Sequence, residues 1–165
     1  MIRGIKGVED RLKKMEQIDC SVAVGKGIEF VQGAAKRTVR KNDGVLEKSI
    51  LTEVRGRPLR TEGICFTNAP HNQFIEFGTG PRGQANHKGI SPNVAVSYSQ
   101  SPWWIHESQI ERRVAEKYKF FYIDTPEGRF YQCSGQPAKP YLYPALKNNV
   151  DEVMEIIRKE IEKQL

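Results

Sequence analysis

Along the first quarter of the chain, apolar residues recur at steps of three and four. Ile5, Val8, Leu12, Met15 and Ile18 come first, then Val22, Ile28, Val31, Ala35 and Val39. That period predicts an amphipathic helix. Unbroken from Ile5 to Arg40, it would run roughly 54 Å at 1.5 Å per residue, whereas a compact chain of this length is about 40 Å across. The helix must therefore break near Asp19 or overhang and find a neighbour. We expect the break, with one part packed on a sheet, and with Gly25, Gly27 and Gly33 each weakening the middle by roughly 1 kcal/mol.

Two stretches alternate with period two instead. In Lys48–Arg55, Ile50, Thr52 and Val54 share a face; in Leu59–Asn68, Ile64 and Phe66 do. Joined through Gly56-Arg57-Pro58, they read as a β-hairpin. A second hairpin pairs KFFYID with RFYQC around Thr125-Pro126-Glu127-Gly128, with proline and glycine placed as a type I turn prefers. Residues 81–102 between the hairpins hold turn residues and no steady period, and the loop is taken to extend over 81–107. Such a loop is usually functional or mobile, and we expect it to be the least rigid part of an isolated subunit. Ser108 with Glu111 suggests a capping box for a short helix through Lys117.

The last stretch has the strongest period. Leu142, Leu146, Val150, Val153, Ile157, Ile161 and Leu165 predict a helix from near Pro144 almost to Leu165, with Val150, Val153, Ile157 and Ile161 buried. The fold class is therefore α+β: a small antiparallel sheet of two hairpins packed by N- and C-terminal amphipathic helices. The length argues for one domain, 1–165.

Charge and chemistry refine this picture. The net charge is +6 with pI about 9.3, and the excess is local: residues 33–60 hold eight basic side chains against three acidic ones. Lys36, Arg37, Arg40, Lys41, Lys48, Arg55, Arg57 and Arg60 could contact nucleic acid, although a solvated face is the commoner use of such a run. No apolar run reaches the ~20 residues of a membrane span, and the N-terminus lacks a signal-peptide core; we expect a protein made in a cytoplasm. Cys20, Cys65 and Cys133 form no CxxC or Cys/His cluster, which argues against disulfides and zinc. His71, His87 and His106 carry no metal-ligand spacing, and no local motif supplies nucleophile, base and orienting group. We therefore expect no enzyme, cofactor or metal.

The stretch Phe74-Ile75-Glu76-Phe77-Gly78-Thr79-Gly80 stands out. His71–Phe77 can form a single helical turn with Gly78 just past its end, but Gly80, Pro81 and Gly83 follow without explanation. GTGPRG lacks the spacing of a Walker A loop and the strand–helix context of a dinucleotide fingerprint. Trp103 and Trp104 are adjacent, so in an extended segment they point to opposite faces, one to a core and one outward.

Together these pieces resemble a family of phage neck proteins, the tail-component or tail-completion proteins of long-tailed bacteriophages and prophages. Three segments carry the resemblance: Gly44–Ile50 (GVLEKSI), Phe74–Thr79 (FIEFGT) and Gly135–Leu146 (GQPAKPYLYPAL). Asp43 and Tyr141 depart from the family's usual threonine and phenylalanine, and 81–117 is longer than in compact members. The resemblance implies a structural virion protein: a ring-forming subunit, expected as a hexamer, that joins tail tube protein to head-closure and connector proteins. DNA would pass through the lumen without sequence-specific binding. It also implies a contact surface comprising Phe74, Glu76, Phe77, Gly78, Thr79, Gly80, Trp103, Trp104, Pro137, Pro140 and Tyr141. The alternative is a stand-alone nucleic-acid-binding protein using residues 33–60.

Overall fold

The computed structural model describes residues 5–39, 44–57 and 60–164. In chain order the elements are α1 (Ile5–Glu16), α2 (Cys20–Thr38), α3 (Val45–Lys48), β1 (Ile50–Arg57), β2 (Arg60–Thr67), α4 (Asn72–Phe77) and α5 (Gly80–Ala85). There follow β3 (Trp103–His106), a 3-10 turn (Glu107–Gln109), α6 (Arg112–Lys117), β4 (Tyr122–Thr125), β5 (Gly128–Cys133), α7 (Leu142–Lys147) and α8 (Val150–Glu162). The class is α+β. Where length argued for one domain, the chain divides into two compact units, one of residues 1–70 with 141–165 and one of 71–140.

In the first unit the long N-terminal period breaks at Asp19, as its length required. The Asp19 carboxylate accepts from the Ser21 amide at 2.8 Å and so caps α2, supplying an acceptor for an otherwise orphan first-turn N–H. Gln164 clamps the same residue, its side-chain oxygen accepting from Asp19 N at 2.9 Å and its amide donating to Asp19 O at 3.1 Å. α2 lies on one face of the β1–β2 hairpin, where Gly63 admits Val24 and Ile28. On its other side α8 packs along it at Gly27, where an added Cβ would sit 3.1 Å from Ile157 and 3.3 Å from Val153. The glycine that costs helix propensity thus makes room for the neighbouring helix. Ala23, Ile28, Val31, Ala34, Ala35, Ile50 and Ala145 form the buried centre of this unit.

The C-terminal period does not give one helix. α7 and α8 are separated at Asn148 and Asn149, and the Asn149 amide donates to Ala145 O at 2.8 Å. Pro144 lies in the first turn of α7, where its missing N–H costs nothing. The expected buried face is half-buried, and Val150 is exposed; Leu165 lies outside the described residues. Ile157→Ala should accordingly cost about 2 kcal/mol, the low end for large-to-small core changes, because Ile157 fills the space beside Gly27. A melting temperature equal to wild type would show that α8 does not hold the unit together.

Both expected hairpins form, but in separate sheets. β1 and β2 pair antiparallel from Ile50↔Thr67 to Arg57↔Arg60; Pro58 of the expected turn lies outside the described residues. In the second unit β4 and β5 pair from Tyr122↔Tyr131 to Thr125↔Gly128, and β3 joins on the other edge of β5, giving the order β3-β5-β4. The expected loop of 81–107 therefore contains a helix and a strand. The short helix after it forms as α6, beginning at Arg112 with no side-chain cap from Glu111. His106 caps Ser108 N instead, at 3.3 Å, while its other ring nitrogen meets Glu127 O at 3.0 Å.

Candidate functional site

The glycine-rich stretch and the Gly135–Pro140 segment meet within the second unit. Thr79 N donates to Gln136 O at 2.9 Å, and Gln136 N donates back to Thr79 O at 3.1 Å, a two-way bridge between segments 57 residues apart. Lys139 N donates to Ile75 O at 2.8 Å, and the Gln136 side-chain amide to Phe74 O at the same distance. Ala138 N reaches Asn86 O, beyond the end of α5.

This pairing explains the glycines. Gly78 ends α4 at φ +76, and an added Cβ would lie 2.7 Å from Ala138 N. Gly80 has φ +60, and a Cβ there would meet the Trp103 ring at 2.8 Å and Ser134 O at 3.0 Å. The close backbone approach that these residues permit is made by the chain's own 134–138 segment. We expected a neighbouring subunit to approach there; the glycines are instead occupied internally.

Around the bridge lies an open groove of about 900 Å³, lined by Phe74, Phe77, Gly78, Thr79, Gly80, Trp103 and Gln136 and by residues 94–99. Tyr98 crosses it, its hydroxyl donating to Phe77 O at 2.8 Å with His87 stacked on its ring. Burial raises the Tyr98 pKa. These ties attach the long connection, expected to be the least rigid part of an isolated subunit, to the rest of the unit. The backbone N–H groups of residues 95–99 donate to no backbone acceptor among the described residues, so that side of the groove offers unused hydrogen-bond donors.

The remaining predicted residues scatter. Glu76 is 6% exposed and Tyr141 is 1% exposed, so neither can lie on a contact surface of this chain as folded. Glu76 falls on the inner side of α4 and Tyr141 immediately precedes α7. The two tryptophans do take opposite faces of β3, but neither is a core anchor: Trp103 is 37% and Trp104 43% exposed. Trp103 lines the groove, while Trp104 rests against Phe121 at 6.1 Å between ring centroids. Pro140 borders Gly89, whose Cβ would meet its ring at 3.4 Å. Pro137 lies in the segment that pairs with 74–79, between bridged Gln136 and hydrogen-bonded Ala138. Val94, Val96 and Tyr98, expected from the sequence to serve contacts with neighbouring copies, line the groove, whereas Gln136 carried no local signal that would have singled it out.

Elsewhere in the second unit Arg129 is fixed from two sides. It holds Asp124 through bonds of 2.7 and 3.2 Å and lies 4.0 Å over the Tyr122 ring. Its hydrogen bond lowers the Asp124 pKa. In the first unit the basic stretch is divided. Arg55, Arg57 and Arg60 surround the hairpin tip near Asp19 and Ser21, at the start of α2, whereas Lys36 and Arg37 are in its last turn. Arg55 is paired with Glu53 at 2.6 Å, which raises its pKa and lowers that of the glutamate. Arg40 and Lys41 lie outside the described residues.

Among the described residues no three His, Cys, Asp or Glu side chains are grouped to hold a metal ion, and no helix is long and apolar enough to cross a membrane. All three cysteines are half-buried thiols, and burial raises the pKa of Cys65. No protein-family model matches the chain, and no curated protein or solved structure matches it significantly.

Proposed function

We propose that this chain is a structural subunit of a phage neck or phage-tail-like particle, a tail-completion protein that assembles into a ring. The observation that carries the reading is the mutual bridge between Thr79 and Gln136. It joins the second and third segments of the family resemblance, which lie far apart in the sequence. Residues of both segments are spent on holding one another, as expected of a structural motif rather than a reaction centre.

The free strand edges also suit assembly. Among the described residues β1 and β2 pair only with each other, and β3 and β4 each pair only with β5, so each of these four strands has an edge without a described strand partner, to which another chain can add. A ring needs one surface to meet a different surface of the next copy. In that setting the tail tube and head-closure proteins are the partners, and DNA passes through without being read.

Stand-alone nucleic-acid binding has less support, because the basic stretch is divided between the two ends of α2 and part of it is neutralised by Glu53. The purified chain should form rings visible by electron microscopy or cap isolated tail tubes, with weak duplex binding. A monomer that neither assembles nor joins tubes, yet binds DNA with an affinity falling steeply with salt, would replace this reading with the alternative.

A further inference from the structure

The groove of the second unit has a row of backbone donors along one side and no charged side chain in its lining. Residues 94–99 form neither helix nor turn, and Val96 and Tyr98 are half-buried while Ala95, Ser97 and Ser99 are exposed. That is the period-two alternation of a strand. Tyr98 pins the strip: its hydroxyl donates to Phe77 O at 2.8 Å, and Gly83 leaves room for its ring, since a Cβ there would lie 2.9 Å away. The backbone N–H groups of 95–99 nevertheless donate to no backbone acceptor among the described residues. An extended strip held in place with its edge unpaired is a template for one more strand.

We infer that the groove is a docking site for an extended, uncharged peptide segment of another protein, which adds as a strand beside 94–99. The row of N–H groups calls for a matching row of carbonyl oxygens. An extended polypeptide backbone repeats that acceptor along its length, whereas a compact small molecule does not. Of the chain's residues 28% are charged, yet no side chain lining the groove is. A charged segment, or a nucleic acid, would lose its hydration there without gaining a counter-charge. Trp103 and Phe74 are both exposed and line the same space, which gives an apolar seat to alternate side chains of the peptide, the spacing at which one face of a strand repeats. The groove's volume of about 900 Å³ is that of a cleft able to enclose a ligand. A monomer would take up the peptide as well as a ring would.

The test titrates a capped hexapeptide of alternating serine and valine into the full chain carrying Trp104→Phe, so that Trp103 alone reports. Its fluorescence should change saturably, and hydrogen exchange should slow at residues 95–99. Methylating alternate nitrogens of the peptide separates strand pairing from any other mode of binding. In one phase the affinity should fall about tenfold or more, because the N–H groups turned toward the strip are lost; in the other it should change by less than about twofold. Ala95→Asp, at an exposed position of the strip, should also weaken binding about tenfold or more with unchanged circular dichroism. No saturable response, equal losses for the two methylated peptides, or unaltered exchange at 95–99 would overturn the inference. So would tighter binding of a hexapeptide with aspartate in place of serine. Self-association of the wild-type chain that Ala95→Asp abolishes would show that a second copy fills the groove, and would refute it as well.

Discussion

Gly135→Ala should unfold the second unit or lower its stability by about 3 kcal/mol or more, the largest effect of any single methyl group in that unit. Two costs add. Gly135 has φ +79, where a non-glycine residue pays about 1–2 kcal/mol. An added Cβ would also lie 1.9 Å from Thr79 O and 2.9 Å from Gly80 N, both backbone atoms that cannot turn aside as a side chain would. Relief requires the 134–138 segment to withdraw, which opens the Thr79–Gln136 bridge and the groove beside it. For a unit of this size each kcal/mol is worth about 4–8 °C. The thermal transition should therefore fall by more than about 10 °C, with a change in Trp103 fluorescence. Gly7→Ala is the control, because a Cβ there meets nothing within 4 Å and alanine favours a helix. If Gly135→Ala melted with wild type, the bridge would not be the element that holds the two segments.

Local rules made the helices and hairpins legible where a cap or turn residue coincided with a period. Asp19 is such a case: the 3/4 spacing ran past it, but length demanded a break and a capping side chain stood there. At Asn148 and Asn149 the spacing again ran through a break, and no length argument opposed it. β3 was hidden for a different reason. Trp-Trp-Ile-His is four residues long with no alternation, and it becomes a strand only by pairing with β5, from Trp103↔Cys133 to His106↔Phe130. The glycines of 78–83 were conspicuous, yet what approached them could not be read locally, since Gln136 lies in a distant segment. Glu76 was misplaced because a six-residue helix offers too few positions for a face to emerge from its pattern. The three-and-four period of α1 was visible from the start, and only the exposure of Val8, Leu12 and Met15 turned that stripe from an expected core face into an outer one.

Ile50→Ala should destabilise the first unit by about 2–5 kcal/mol, the range for truncating a buried aliphatic side chain. Ile50 is 0% exposed and sits where three elements converge. Its carbonyl accepts from the Gln32 side-chain amide at 2.7 Å, tying β1 to α2. It stands opposite Thr67 in β2, and the preceding Ser49 hydroxyl shares a 2.7 Å hydrogen bond with that of Thr67. The side chain is therefore enclosed by backbone that is held in place, so the cavity left by truncation cannot readily collapse and the cost should fall in the upper half of the range. Ile50→Val, removing one methylene, should cost about 0.5–1.5 kcal/mol. Leu51→Ala, one residue away with its side chain 40% exposed, should cost clearly less than Ile50→Ala. Chemical denaturation of the three variants measures all of this, and the order of the costs is the decisive result. Ile50 ends the segment GVLEKSI, so a large loss there means that this segment serves packing within the first unit. Equal losses at positions 50 and 51 would mean that Ile50 is not the closed centre of this unit, and that its place in the segment has another cause.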